Sequence, residues 1–338
     1  MNKKKLIWQL PFLILLIVGT VLIICQQRVM PYQVNSGMVF GTVYHITYEC
    51  DSDLHQAIKA ELQKVDNSLS PFNDHSIITA INQNKDVEPD EMFLTVFNKA
   101  MVISRETEGA FDITVAPLVN AWGFGFKNGI QPNRHQVDSL LRLIGYDKIS
   151  LKNGRIVKQI PDIMLDCSAI AKGYGSDVVA HFLRQKGIKN FMVEIGGEIV
   201  TSGVNSQRLP WKIGVTKPTD DTLSVKSEIQ SVLNVTDLAM ATSGNYRNFY
   251  YKGGKKYAHT INPKTGYPVQ HSLLSATVLA KDCATADAYA TSFMVLGIDD
   301  AQKVLERHPE LMAYFIYSDD KGQNAVWCSP LLKDKIVE

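Results

Sequence analysis

The chain has 338 residues, of which 45% are apolar and 20% are charged, and its formal net charge at pH 7 is +1. These values are typical of a globular protein. They exclude a wholly disordered, collagenous or coiled-coil chain, and they provide no broad basic surface for nucleic acid. The length corresponds to one large domain or two modest ones.

The N-terminus combines a basic end with a long apolar stretch. Residues 3–5 are lysines, and they precede an apolar stretch from Leu6 to Cys25 that only Gln9 interrupts. A membrane span needs about 20 such residues, whereas the apolar part of a cleavable signal usually has about 7–15. Flanking lysines stay in the cytoplasm. We therefore predict a signal anchor and linker at 1–34, which hold a domain at 35–338 on the periplasmic side of the inner membrane.

Two other interpretations of the N-terminus stay open. A lipoprotein signal would end at Cys25, although Ile24 is larger than the residue that lipoprotein processing requires before the cysteine. A cleaved signal peptide would need small residues at its cleavage site, and none follow in an A-x-A-like pattern. The four remaining cysteines show neither a C-x-x-C pair nor zinc-ligand spacing, so their disulfide state is also open.

Helices and strands alternate irregularly along the rest of the chain. Apolar residues three and four positions apart predict helices, and runs of β-branched and aromatic residues predict strands. In chain order, these patterns predict a linker at 34–37, a strand at 38–49, helices at 52–69, 73–82, 90–108 and 135–144, short strands within 148–165, a helix at 169–186, strands at 191–204, 211–216 and 232–237, a hairpin at 250–261, a strand at 275–280, a helix at 284–296 and a strand at 313–317. Without a regular βαβ alternation, we expect an α+β fold with a mainly antiparallel sheet packed with helices.

Polar groups interrupt the predicted helix at 169–186. In the segment LDCSAIAKGYGSD, at 165–177, Asp166 is either an ordinary helix cap or a ligand-binding group. Lys172 follows nearly two turns later. Gly173 and Gly175 weaken a helix, which indicates that a backbone or a ligand approaches it closely.

Three further segments carry candidate chemistry. AMATSGNYRNF, at 239–249, predicts a polar turn after a strand, which either closes on itself or donates to a ligand. YAHTINPKTGYPV, at 257–269, places His259 beside a rigid loop, where a histidine is either structural or functional. In CATADAYATSFMVLG, at 283–297, Asp287 and Thr291 share one helix face. A carboxylate and a hydroxyl together suit a hard cation, although a surface aspartate would give the same pattern.

Taken in this order, the four segments resemble the ApbE family of FAD:protein FMN transferases. Other matching segments are FGTVYHI at 40–46, LSPFNDHSIITAIN at 69–82, GAFDITVAPLVNAWGFG at 109–125 and VEIGGEIVTSG at 193–203. The resemblance covers about residues 35–330. It implies a T-fold-like α+β domain.

The resemblance also implies an activity. Members of this family bind FAD and Mg²⁺, with Mn²⁺ as an alternative, and transfer the FMN half of FAD to a Thr or Ser hydroxyl of an exported protein. A phosphoester forms and AMP leaves. The implied partners are exported flavin-carrying subunits of redox complexes, such as the sodium-translocating NADH:quinone reductase and its Rnf-type relatives. Two alternatives are a metal-dependent hydrolase that splits FAD into FMN and AMP, and a flavin-binding protein without activity.

Individual residues match the family's functional positions. The resemblance implies metal binding by Asp287, Thr291 and the carbonyl of Ala169. It implies flavin or FAD contacts for Phe40, Phe72, Ala110, Phe111, Asp112, Asp166, Lys172 and Ile261. We expect catalytic roles for Asp287 and for His259, the latter as a candidate base. Two positions depart from the family pattern, because Phe40 stands where many relatives have Met and Asn262 replaces the usual Asp.

Overall fold

An eight-stranded antiparallel sheet is the frame of the protein in this computed structural model, which describes residues 11–20, 30–125, 131–218, 228–245, 249–252 and 255–337. The strands are β1 (Tyr32–Val39), β2 (Thr42–Glu49), β3 (Ile149–Lys152), β4 (Arg155–Lys158), β5 (Phe191–Ile195), β6 (Glu198–Ser202), β7 (Lys212–Thr216), β8 (Ile229–Asn234), β9 (Ala239–Gly244), β10 (Phe249–Lys252), β11 (Lys255–Ala258), β12 (Leu273–Ala280), β13 (Met312–Ser318) and β14 (Asn324–Cys328). The sheet order is β1-β2-β5-β6-β9-β12-β13-β14. The pairs β3-β4, β7-β8 and β10-β11 form separate hairpins.

Helices cover one face of the sheet and the β7-β8 hairpin covers part of the other. The helices are α1 (His55–Leu69), α2 (Ile77–Asn82), α3 (Glu91–Glu106), α4 (Ala116–Ala121), α5 (Arg134–Leu141), α6 (Ala171–Gln185), α7 (Cys283–Leu296) and α8 (Ile298–Arg307). On β13, Phe315 packs with α3 and α7, whereas Tyr314 packs with Trp211 and Leu233 at the hairpin. Successive side chains of a strand point to opposite faces, so the sheet has a core on each side. The predicted α+β fold with an antiparallel sheet is thereby confirmed.

The first hairpin shows that the predicted linker is wrong. Residues 34–37, predicted as a linker, lie inside β1, which pairs along its length with β2. The strand predicted at 38–49 is broken by a tight turn, where Phe40 has φ 51° and Gly41 has φ 72°. Glycine adopts positive φ readily, so Gly41 permits this turn. The sequence did not predict the turn, because the surrounding β-branched and aromatic residues indicate a continuous strand.

Other elements differ from their predicted bounds, some because of contacts between strands and some because of local capping. Of the polar turn predicted at Thr242–Asn245, the residues through Gly244 belong to β9, where Thr242 shares a 2.8 Å hydroxyl hydrogen bond with Thr277 of β12. The helix predicted at 73–82 begins at Ile77, because the Ser76 side chain caps it through the N–H of Thr79. The segments α4, α8 and β14 had no prediction. They pack on their neighbours in the chain: α4 on α5, α8 on α7 and β13, and β14 on β13.

The predicted anchor is described in part. Residues 11–20 are helical, and their large apolar side chains are exposed. In the described ranges, no helix combines the length and the apolar character that crossing a membrane requires. The remaining residues of the predicted apolar stretch, 6–10 and 21–25, lie outside the described residues, as does the predicted hairpin tip at Gly253 and Gly254.

Helices α6 and α7 approach so closely that a glycine is needed between them. A Cβ built on Gly173 would collide with the carbonyl group of Cys283. A Cβ on Gly175 would lie 2.7 Å from Cε2 of the Phe40 ring. Gly173 is therefore close to the backbone of another helix, and Gly175 is close to a side chain.

These two glycines provide a matched pair of variants. Gly173→Ala is expected to destabilise the protein by about 2 kcal/mol or more, because a backbone carbonyl cannot move without shifting α7. Gly175→Ala is expected to cost clearly less, because the Phe40 ring can rotate away and alanine favours the helix by about 1 kcal/mol. Urea unfolding of both variants measures the difference. Equal losses would show that the two helices adjust to each other easily.

Candidate active site

A cavity of about 870 Å³ opens among the first hairpin, α6, α7 and the strands β5, β6, β7 and β9. This size lies within the range of small-molecule sites. Every residue predicted for the site lines it: Phe40, Phe72, Ala110, Phe111, Asp112, Asp166, Ala169, Lys172, His259, Ile261, Asp287 and Thr291. The structure therefore brings all twelve together, and their individual roles stay predictions.

Helices α6 and α7 cap each other at the floor of this cavity. The backbone N–H of Gly173, in the first turn of α6, donates to Oδ2 of Asp287 at 3.0 Å. In return, Asp177 of α6 accepts the N–H groups of Cys283 and Ala284 at 2.8 Å each. The first N–H groups of a helix lack acceptors within that helix, and each carboxylate supplies them from the other helix. This exchange fixes the α7 face that carries Asp287 and Thr291.

Asp177 gives folding stability a pH dependence. Burial raises the pKa of its carboxyl group to about 7, although the N–H groups of Cys283 and Ala284 oppose the shift. Between the ordinary pKa of about 4 and this value, the folded state holds a proton that the unfolded state has lost. The contribution of Asp177 to the free energy of unfolding therefore falls as pH rises through this window.

The prediction is checked against Asp177→Asn, which has no such titration. The free energy of unfolding of the wild type, relative to that of the variant, is expected to fall from pH 5 to pH 7 and then to level off. Urea denaturation at four pH values from 5 to 8 measures it. A constant difference would show that Asp177 has the same proton occupancy in both states.

Lys172 stands between two buried carboxylates. Its Nζ lies 2.7 Å from Oε1 of Glu198 and 3.8 Å from Oδ1 of Asp287. Burial opposes the ammonium charge, but Asp287 and Glu198 together hold the pKa of Lys172 above its ordinary value. Burial raises the pKa of Glu198, and Lys172 opposes that shift.

Glu198 was missed by the sequence analysis. Its only sequence signal is a charged residue between Gly196-Gly197 and an apolar strand. The side chain is 3% exposed, and it lines the cavity beside Lys172.

The predicted metal ligands suit a hard cation. A carboxylate, a hydroxyl and a backbone carbonyl are all oxygen donors, as Mg²⁺ prefers. Ala169 precedes the N-cap residue Ile170 of α6, so its carbonyl lies outside the helical hydrogen-bond pattern. The pair of buried carboxylates exceeds the single ammonium by one negative charge, and this excess favours a bound cation. Within the described residues, no group of three or more His, Cys, Asp or Glu side chains could hold a metal ion, and the predicted set contains one such side chain.

Two other aspartates at the cavity have partners in the protein. Asp112 accepts hydrogen bonds from the N–H and hydroxyl of Thr114 and from the N–H of Tyr146, at 2.6 to 2.8 Å. Burial raises the pKa of Asp112, and these bonds oppose the shift. Asp166 accepts the N–H of Ser168 at 2.8 Å, and burial raises its pKa too. Asp112 thus ties its own loop together, while Asp166 begins the segment that leads into α6.

His259 stands on the loop side of the cavity. Its ring contacts Phe124 edge-on, with centroids 6.4 Å apart. The loop that follows is closed by Asn262, whose Oδ1 accepts the N–H groups of Lys264 and Thr265 at 2.8 and 3.1 Å. An amide oxygen can therefore fix this loop without the carboxylate that the family resemblance led us to expect. Phe72 adds an aromatic ring that is 69% exposed to solvent.

Fold and site together define an α+β protein with one large cavity that combines aromatic rings, a buried lysine–carboxylate cluster and oxygen donors. The aromatic rings suit a ligand with a flat ring system, and with a cation held at the oxygen donors the site would also suit a negatively charged group. The model of the ApbE family matches residues 40–315, so the chain belongs to that family, as its sequence predicted.

Relatives agree along most of the chain. The FAD:protein FMN transferase of Haemophilus influenzae is 39% identical over an alignment of 304 residues that covers 85% of this chain and 87% of that protein. The FAD:protein FMN transferase of Escherichia coli K12 is 31% identical over 334 residues, with 93% of each chain covered. The solved structure of flavin transferase ApbE from Vibrio cholerae is similar with a TM-score of 0.82 at 34% identity, covering 90% of this chain and 99% of that one.

Proposed function

We propose that this enzyme, a FAD:protein FMN transferase by family, uses Mg²⁺ to move the FMN half of FAD onto a Thr or Ser hydroxyl of an acceptor protein. The observation that carries the proposal is the shared cavity, where His259, Lys172 and Asp287 stand together with aromatic rings. Transfer at phosphorus depends mainly on positioning and on neutralising charge, and this set of groups supplies both.

In the proposed reaction, one bond to phosphorus forms, another breaks, and one proton is transferred. The acceptor oxygen forms a bond to the FMN-side phosphorus of FAD, and the bond from that phosphorus to the oxygen of AMP breaks. The hydroxyl proton goes to a base, for which His259 is the candidate, and AMP leaves with the electron pair of the broken bond. Phe72, which is 69% exposed at the cavity, offers an aromatic surface for the flavin or the adenine.

The buried charges would act on the diphosphate. Asp287, Thr291 and the carbonyl of Ala169 would hold the cation, which supplies positive charge against the phosphate oxygens when it is bound. Lys172 adds a permanent positive charge, because its pKa is held above the ordinary value. The exchange of caps between α6 and α7 keeps Asp287 in place without the ligand.

The intact mass of an acceptor protein tests this function. Residues 30–338, which keep all of β1, would be mixed with FAD, Mg²⁺ and a candidate exported acceptor, with a parallel reaction containing a chelator. The expected result is a gain in acceptor mass of one FMN phosphoester, with an equal amount of AMP, in the Mg²⁺ reaction alone. Free FMN and AMP with an unchanged acceptor, repeated with a second acceptor, would instead identify a hydrolase.

We further propose that the enzyme works outside the cytoplasm, held in the membrane by the apolar stretch from Leu6 to Cys25. The support is the lysine-flanked sequence, which orients such segments with the basic end inside. The proposed acceptors are then exported subunits of redox complexes, of the sodium-translocating NADH:quinone reductase or Rnf type. Protease added to spheroplasts is expected to degrade the domain. A domain protected until the membrane is lysed would contradict this placement.

A further inference from the structure

Glu198 is a buried acid that the proposed reaction does not use. It begins β6, directly after Gly196 and Gly197, and Ser176 of α6 donates to its backbone carbonyl at 3.0 Å. Its Oε1 binds the ammonium of Lys172, whereas its Oε2 is buried and has no hydrogen-bond partner within the described residues. Burying a carboxylate is costly unless it is paired with a positive charge. The contact with Lys172 supplies that charge, and we ask what this pair contributes to the site.

The contact sets the position of the lysine. Nζ of Lys172 lies at hydrogen-bond distance from Glu198 but at 3.8 Å from Asp287, which is too long for a hydrogen bond. Lysine has a flexible four-carbon stem and a compact charge, so a shift of about 1 Å would place Nζ on Asp287. The strong pairing with Glu198 opposes that shift.

The position of the lysine decides what Asp287 can bind. One oxygen of Asp287 already accepts the N–H of Gly173, so the other faces Lys172. A direct ion pair at that oxygen would compete with a cation for the same lone pairs. With Lys172 held on Glu198, Asp287 keeps an oxygen for the cation, and the ammonium stands beside the cation rather than in its place.

We propose that Glu198 is a positioning residue that holds Lys172 away from Asp287 and so keeps the cation site open. The inference rests on the proposed function, because it takes Asp287 as a cation ligand. A simpler explanation would be that Glu198 attracts the cation by its charge alone. Our proposal differs because the effect of Glu198 depends on the length of its side chain and on the presence of Lys172. Those two dependences make it testable.

The test measures Mn²⁺ binding without FAD, from the electron paramagnetic resonance signal of unbound Mn²⁺. Glu198→Gln is expected to weaken binding at least tenfold. Glu198→Asp keeps the charge but is shorter by one methylene, and it is expected to weaken binding several-fold as well. The double variant Glu198→Gln with Lys172→Met is expected to bind within a few-fold of the wild type, because no lysine remains to occupy Asp287.

Wild-type affinity in Glu198→Asp would overturn the inference, because attraction through space needs only the charge. Unchanged affinity in Glu198→Gln, or absence of Mn²⁺ binding by the wild-type protein, would overturn it as well. A crystal structure of Glu198→Asp, or of Glu198→Gln where that variant folds, provides a readout without metal: Nζ of Lys172 is expected within about 3 Å of Asp287. Nζ remaining at its present distance would be a contradiction.

A separate experiment shows whether the proposed function is wrong. The acceptor-mass experiment measures flavin transfer by the wild-type protein. Transfer absent there, with the Mn²⁺ results as expected, would leave the role of Glu198 standing and would remove the transferase activity.

Discussion

Asp287→Asn is expected to lower flavin transfer by about 100-fold to 1000-fold and to abolish measurable Mn²⁺ binding. The asparagine oxygen can still accept the N–H of Gly173, so the floor of the cavity is retained while the negative charge is lost. Losing one preorganised group that stabilises charge at the reacting centre costs about this much in other enzymes. The initial rate of AMP release at saturating FAD and acceptor measures the effect.

Asp300→Asn is the matched control for that variant. Asp300 lies on α8, is exposed, and pairs with Lys303 at the surface. The same chemical change there is expected to leave the rate and Mn²⁺ binding within about twofold of wild type, since exposed ion pairs contribute little. Transfer by Asp287→Asn at the rate of this control would remove Asp287 from the cation site.

His259→Ala is expected to reduce transfer by about 100-fold to 10,000-fold while FAD still binds. Losing a general base typically costs this much, and the other groups that line the cavity are unchanged. Flavin fluorescence quenching measures FAD affinity, and acceptor mass measures transfer in the same preparation. Separating the two readouts distinguishes a proton-transfer role from a binding role.

His181→Ala serves as the control for the histidine variant. His181 is exposed on α6, where it contacts Gln185 at 2.8 Å. Its variant is expected to transfer flavin at the wild-type rate. If His259→Ala also does so, another group accepts the proton. If FAD binding is lost with transfer, His259 holds the cofactor instead.

Local sequence patterns predict those parts of the fold that depend on nearby residues. Helix α3 begins one residue after its predicted first residue, Asp90, because the Asp90 side chain accepts the N–H of Phe93 and caps the helix. The hairpin β3-β4 lies in the region predicted for short strands, and it turns at Asn153-Gly154, where φ is 50° and 74°. Caps and glycine turns are properties of four or five residues, so a sequence displays them directly.

Other features depend on residues far apart in the chain. The mutual capping joins Asp177 to residues more than 100 positions later, so Asp177 looks like an ordinary polar residue of a helix. Glu198 is the clearest case, since its burial beside Lys172 exists only after β6 and α6 have packed.

The predicted site residues came from matching family segments, while their proximity comes from the fold. Asp287 and Thr291 are four residues apart on α7, so the helical repeat alone places them on one face. No spacing rule places them near Ala169, Lys172 or His259. The packing of α7 against α6 and β9 brings these residues together. Composition and periodicity describe single segments, so they could not predict which segments meet at the site.

Crystals soaked with Mn²⁺ and FAD provide the most direct measurement, through the anomalous scattering of manganese. The expected result is a peak within about 2.5 Å of an Asp287 carboxylate oxygen and of the Thr291 hydroxyl, with the FAD diphosphate against it and Lys172 still paired to Glu198. A peak elsewhere in the cavity, or FAD bound with its diphosphate away from Asp287, would contradict the proposed arrangement of cation and substrate.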